Sequence, residues 1–123
     1  MHVKKAQNYL GSYSEDSKIY AEEAGNDAGW FMKECELHVK KATERFGYHA
    51  KNSKIYTNEA GNDAGGHVED SKLSIYELKG KLNSSCFKEN NEIYLGRKSY
   101  RKHPLEYRLK RVKIWKEKTL ERY

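Results

Sequence analysis

Through the first half of the chain the apolar residues recur at short, regular steps. Val3, Ala6, Leu10, Tyr13, Tyr20, Ala24, Ala28, Phe31, Cys35, Val39, Ala42, Phe46, Tyr56, Ala60, Ala64 and Val68 are separated mostly by three, by four or by sums of these. That is the spacing of one face of an α-helix, which turns once every 3.6 residues. With no alternation of period two read in this stretch, amphipathic helices are expected and half-buried strands are not.

The pattern is duplicated. Residues 2–29, HVKKAQNYLGSYSEDSKIYAEEAGNDAG, and residues 38–65, HVKKATERFGYHAKNSKIYTNEAGNDAG, align without a gap at a shift of 36, with 17 identities in 28 positions. A third copy starts at His67-Val68 and reaches EDSK at 69–72 eleven residues early. A shift of 36 is ten helical turns and a loss of eleven is close to three, so both keep one helix face pointing the same way. The segment AGNDAG, at 24–29 and 60–65, places two Gly and two poor helix formers within six residues. In a helix interior that costs about 3 kcal/mol, and a turn suits it better. Gly25 and Gly61 then end helices, and Asn26, Asp27, Asn62 and Asp63 cap the next. Helices are expected over 2–24, 28–60 and 64–86, with Gly11 and Gly47 marking either further breaks or close helix contacts.

EAGNDAG preceded by SKIY, with HVKKA between the copies, resembles the helix-turn-helix junctions of tetratricopeptide-like repeats across residues 17–65. The chain departs from that family in having Leu10-Gly11-Ser12-Tyr13 for its Leu-Gly-x-x-Tyr and in lacking the Pro that ends a repeat. The resemblance implies a binding scaffold with a concave groove for a peptide or partner helix, and no catalytic residues.

Composition agrees with thin helical layers. Leu, Ile, Val and Phe number 21 of 123 residues, just under the roughly 20% at which a compact core becomes doubtful and too few for a thick sheet structure. The expected fold class is all-α: antiparallel helical hairpins or a bundle built from the 36-residue unit, with a basic C-terminal helix. The organisation expected is a repeat body at 1–88, a polar and basic linker at 89–103 and an amphipathic helix at 104–123. No apolar run is long enough to span a bilayer or act as a secretory signal, so a cytoplasmic protein is expected.

Charge is lopsided. Of the net +6, residues 97–123 hold eleven Lys or Arg against three Glu, a net of +8, which leaves −2 for residues 1–96. A helix starting near Pro104 places Leu105, Leu109, Val112 and Trp115 on one side and cations on the other. Two functional readings follow. The first is a non-enzymatic helical-repeat module that binds a protein partner or itself through an apolar stripe of Tyr13, Tyr20, Trp30, Phe31, Phe46 and Tyr56. The alternative is a small nucleic-acid-binding protein contacting phosphates through Arg97, Lys98, Arg101, Lys102, Arg108, Arg111 and Lys118.

Chemistry-bearing sets are sparse. Cys35 and His38, one helical turn apart, have His67 and Cys86 as possible companions for zinc, but the spacing is not that of a known finger. Arg97 and His103 suggest a ribonuclease-like pair that any basic tail with one His offers. No phosphate loop or nucleophile motif occurs. No catalytic residue, metal ligand or cofactor is assigned.

Overall fold

The structure is a computed structural model that describes residues 2–6, 8–87, 90–102 and 112–115. It overturns the helical reading and the tetratricopeptide-like resemblance with it. Among the described residues seven strands, β1 (His2–Lys5), β2 (Lys18–Ala24), β3 (Glu36–Ala42), β4 (Lys54–Ala60), β5 (Lys72–Leu78), β6 (Glu92–Gly96) and β7 (Val112–Trp115), form one sheet in chain order. Every neighbouring pair is parallel. The chain is a β-solenoid: it winds in coils, and each strand stacks on the strand one coil earlier.

Strand register gives the true repeat. Lys18 pairs with Glu36, Glu36 with Lys54 and Lys54 with Lys72, a step of 18 residues each time, before the step from Lys72 to Glu92 widens to 20. The 36-residue duplication is therefore two coils. Eighteen residues also equal five turns of an α-helix, so the sequence periodicity fits both structures.

Within a coil the inward residues are Ile19, Ala21, Ala24, Ala28, Met32 and Cys35, followed by Leu37 and Val39 of the next coil, all buried. Their steps run two, three, four, four, three, two and two. The twos belong to strands, where alternate residues face the lumen. The threes and fours belong to the corners. The lumen is narrow, and each coil fills it with one large residue opposite a small one: Ala28 with Met32, Phe46 with Ala50, Ala64 with Val68, Leu82 with Cys86. A constant cross-section demands this compensation. It also explains how so few Leu, Ile, Val and Phe suffice.

Four places per coil take a left-handed backbone: Asp27, Gly29, Phe31 and Glu34, repeated 18 residues on as Arg45, Gly47, His49 and Asn52. Three of the four carry outward side chains. The fourth is always glycine, at 11, 29, 47 and 65, because a Cβ there points inward; at Gly65 it lies 2.6 Å from Leu73 Cδ2 and at Gly47 3.0 Å from Ile55 Cδ1. Glycine alone meets both demands.

Side chains complete the corner hydrogen bonds between coils. Asn26 Oδ1 accepts from the Glu44 amide at 3.1 Å, Glu44 Oε2 from the Asn62 amide at 2.7 Å and Asn62 Oδ1 from the Lys81 amide at 2.9 Å. At another corner the Cys35 amide donates to Ser53 Oγ and the Ser53 amide to Ser71 Oγ. The recurrent AGNDAG is thus a solenoid corner: two Ala face inward, Asn26 or Asn62 spans to the next coil, and Gly29 or Gly65 provides the left-handed turn.

Residues 92–96, within the stretch expected as a linker, extend the sheet as β6. A short α-helix, α1 (Arg97–Lys102), follows, anchored where the Leu78 amide donates to buried Ser99 Oγ at 2.8 Å. A continuous basic helix over 104–123, as expected, is excluded because residues 112–115 form β7, paired Ile93 with Val112 to Gly96 with Trp115. No helix among the described residues is long and apolar enough to cross a membrane.

Candidate functional site

Parallel in-register stacking places equivalent side chains about 4.8 Å apart, close to the spacing of stacked rings. Two aromatic ladders result, on different sides of the solenoid. On the turn face the outward left-handed position holds Tyr13, Phe31, His49 and His67. Tyr13 stacks on Phe31 at 5.4 Å and 6°, Phe31 on His49 at 4.5 Å and 1°, and His49 on His67 at 4.9 Å and 13°. Trp30 touches Tyr9, Tyr13 and Phe31 at 5.3, 6.0 and 5.1 Å, and Tyr48 meets both histidines edge-on. Seven rings make one patch.

The patch lies open. Tyr13 is 69% exposed, Tyr9 50% and Phe31 40%, three of the four large hydrophobic side chains that are exposed among the described residues. Beside it runs a groove of about 290 Å³, walled by Phe31, His49 and His67 on one side and by Lys33, Lys51 and Glu69 on the other. Burial holds the His49 imidazole below its ordinary pKa of 6.5, neighbouring His67 adds to the shift, and Glu69 opposes it.

The second ladder runs up the outer sheet face. His38 lies between Tyr20 at 4.8 Å and Tyr56 at 4.7 Å, and its Nε2 is 2.8 Å from Glu36 Oε1. That hydrogen bond is the main reason the Glu36 carboxyl sits below its usual range. Burial raises the Tyr56 hydroxyl above its ordinary value. The next rung is Ser74 in place of a ring, and the one after is Tyr94.

The stripe expected from sequence is therefore split. Tyr13, Trp30 and Phe31 share the turn face, Tyr20 and Tyr56 share the sheet face, and Phe46 is fully buried in the lumen. Tyr9, Tyr48, His49 and His67 belong to the turn patch, and His38 and Tyr94 to the sheet ladder, although periodicity at 3.6 had not drawn them in. The signal was an 18-residue recurrence of ring residues at 13, 31, 49, 67 and at 20, 38, 56.

Arg97, Lys98, Arg101 and Lys102 are exposed on α1, while Arg108, Arg111 and Lys118 lie outside the described residues. The continuous helix expected to carry Arg108, Arg111 and Lys118 is interrupted by β7 at 112–115, which removes the basis of the basic-helix nucleic-acid reading. Cys35 and Cys86 are both buried, and Cys35 Sγ contacts the Ser14 and Lys33 carbonyls, each at 3.3 Å. His38 and His67 belong to different ladders. Among the described residues no three His, Cys, Asp or Glu side chains are placed to hold a metal. No protein-family model, curated protein or solved structure matches the chain.

Proposed function

We propose that the protein is a rigid recognition scaffold whose aromatic turn face receives a protein partner, with no chemical step of its own. The helical-repeat module falls with the helices; this reading rests on a different surface, built by the solenoid. One observation carries it: Tyr9, Tyr13, Trp30 and Phe31 form a contiguous and largely exposed ring cluster. A concentrated exposed apolar patch is unusual on a folded surface and marks interaction sites. Tyr, Trp and Arg dominate the energetics of protein interfaces, and Arg45 stands at the patch border, held against Asp27 by bonds of 2.7 and 2.8 Å. Rings fixed by stacking lose little freedom on binding.

Site-specific photocrosslinking in the source cells tests this. A benzophenone residue at Lys33, on the groove rim, should yield a discrete crosslinked protein. One at Glu23, exposed near the C-terminal end of β2, should not. Trp30→Ala should remove the adduct, as should Tyr13→Ala, whose exposed ring leaves the fold intact. Identical adducts from both positions, adducts indifferent to both substitutions, or a crosslinked dimer alone would overturn the proposal.

A further inference from the structure

The sheet-face ladder has a missing rung. Tyr20, His38 and Tyr56 stack at 4.7 to 4.8 Å, and the register then runs from Tyr56 to Ser74 and from Ser74 to Tyr94. Tyr56 and Tyr94 stand two strands apart, roughly 9.6 Å at the usual strand spacing, so the level of Ser74 is one ring thick. Ser74 is fully buried, and its hydroxyl has no hydrogen-bond partner. Its cover is Lys72: the Nζ atom lies 5.6 Å from the Tyr56 ring centre and 5.2 Å from that of Tyr94. Lys113 Nζ lies 5.7 Å from the Tyr94 ring on the far side.

We propose that this gap is a binding slot for a planar aromatic ring bearing an anionic group, with the Lys72 side chain as its displaceable cover. Three features point the same way. A ring entering at the level of Ser74 restores the stacking spacing of the ladder on both faces, a better geometry than an ammonium held more than 5 Å from either ring. The unpartnered hydroxyl at the floor gains a partner from a polar ring atom. The ammonium groups of Lys72 and Lys113 flank Tyr94 and would meet the anion as Lys72 swings out, and they disfavour a cationic ring in the same slot. The acids that face this region are Glu92, Asp70 and Glu36. Glu92 and Asp70 line the adjoining groove of about 310 Å³ with Lys54 and Lys72, and Glu36 is engaged by His38. The slot is separate from the turn face, so neither proposal depends on the other.

The test is binding of 1-naphthyl phosphate to the full chain, followed by fluorescence and by ring-proton chemical shifts. Saturable binding should come with upfield shifts of the naphthyl protons and with changes at the Tyr56 and Tyr94 rings. Ser74→Tyr supplies the missing ring and should weaken binding at least about tenfold while keeping the fold, because it completes a ladder already present. Lys72→Met keeps an apolar cover without charge and should also weaken binding of the phosphate. Tyr13→Ala should leave it unchanged. Inorganic phosphate and 1-naphthylmethylammonium should bind far more weakly. Equal affinity of wild type and both slot variants, equal affinity for the cationic naphthyl compound, or no binding at millimolar probe would overturn the assignment.

Discussion

His49 shows how a single residue answers to the stack around it. Its ring lies between Phe31 and His67, with Tyr48 at its edge and with Lys33, Lys51 and Glu69 across the groove. Burial and His67 favour the neutral imidazole and Glu69 opposes them, so His49 titrates below 6.5 in the folded chain. The unfolded chain then takes up this proton first. Stability is complete above about 6.5 and falls as the pH drops through that value toward the folded pKa. Glu36 acts lower on the scale: its depressed pKa contributes stability above 4.5 that is lost as the pH falls through the folded value. Two acid-side losses are therefore expected in urea titrations read against pH. His49→Phe should remove the upper loss and leave the lower one, since Phe31 already occupies the same left-handed position at φ 58°. An unchanged profile between pH 7 and 5 in that variant would remove the role given to His49. The same backbone place explains why the residue went unnoticed in the sequence: a histidine in a left-handed corner carries no local signature until its neighbours at 31 and 67 are seen to lie above and below it.

At the scale of the element, threes and fours have two origins. In a helix they keep a residue on one face; in a solenoid they carry the chain around a corner between inward positions. Ala24, Ala28, Ala42, Ala60, Ala64 and Val68 were legible as interior either way, and all are buried. The strands were hidden because Ile19 and Ala21, Leu37 and Val39, and Ile55 and Thr57 step by two for a single alternation, too brief to interrupt a helical pattern. Tyr13 and Phe46 separate the two geometries by experiment. On a helix they share a stripe, whereas here Tyr13 is 69% exposed and Phe46 is at 0%, above and below small residues Ala28 and Ala64. Phe46→Ala should cost about 3 to 5 kcal/mol, since no neighbour can fill its space. Tyr13→Ala should stay within about 0.5 kcal/mol, as exposed sites usually do. Chemical denaturation of the two variants checks the contrast, and similar costs for both would contradict the lumen assignment.

For the whole molecule, the question is why an 18-residue fold is written in a 36-residue sequence. Stacked coils bring equivalent charges about 4.8 Å apart, where like charges repel and opposite ones attract. Three outward rows alternate accordingly over most of their length: Lys5, Glu23, Lys41 and Glu59 in one, Lys18, Glu36 and Lys54 in another until Lys54 meets Lys72, and Asp27, Arg45, Asp63 and Lys81 in a third, while Lys33 stacks on Lys51 in a row that does not alternate. Where the acids Glu59 and Glu77 do meet, Lys79 bridges them at 3.7 and 3.0 Å. Alternation makes every second coil alike and every adjacent pair different, so sequence identity appears at two coils. Large and small core residues alternate too, which reinforces the doubled period. Deleting residues 36–53 removes one coil and tests both periods. The strands still meet in register, so a β-type circular dichroism spectrum should survive. The rows, however, then stack Lys18 on Lys54, Glu23 on Glu59 and Asp27 on Asp63, each contact costing roughly 0.2 to 1 kcal/mol. The shortened chain should therefore gain stability between about 0.02 and 1 M salt, far more than the full chain does, because screening relieves repulsion between exposed charges. Deleting residues 36–44 shifts the following coils by half a turn of the solenoid, turns core residues outward and should abolish folding. A shortened chain whose stability responds to salt no more than the full chain's would remove the role given to the charge rows.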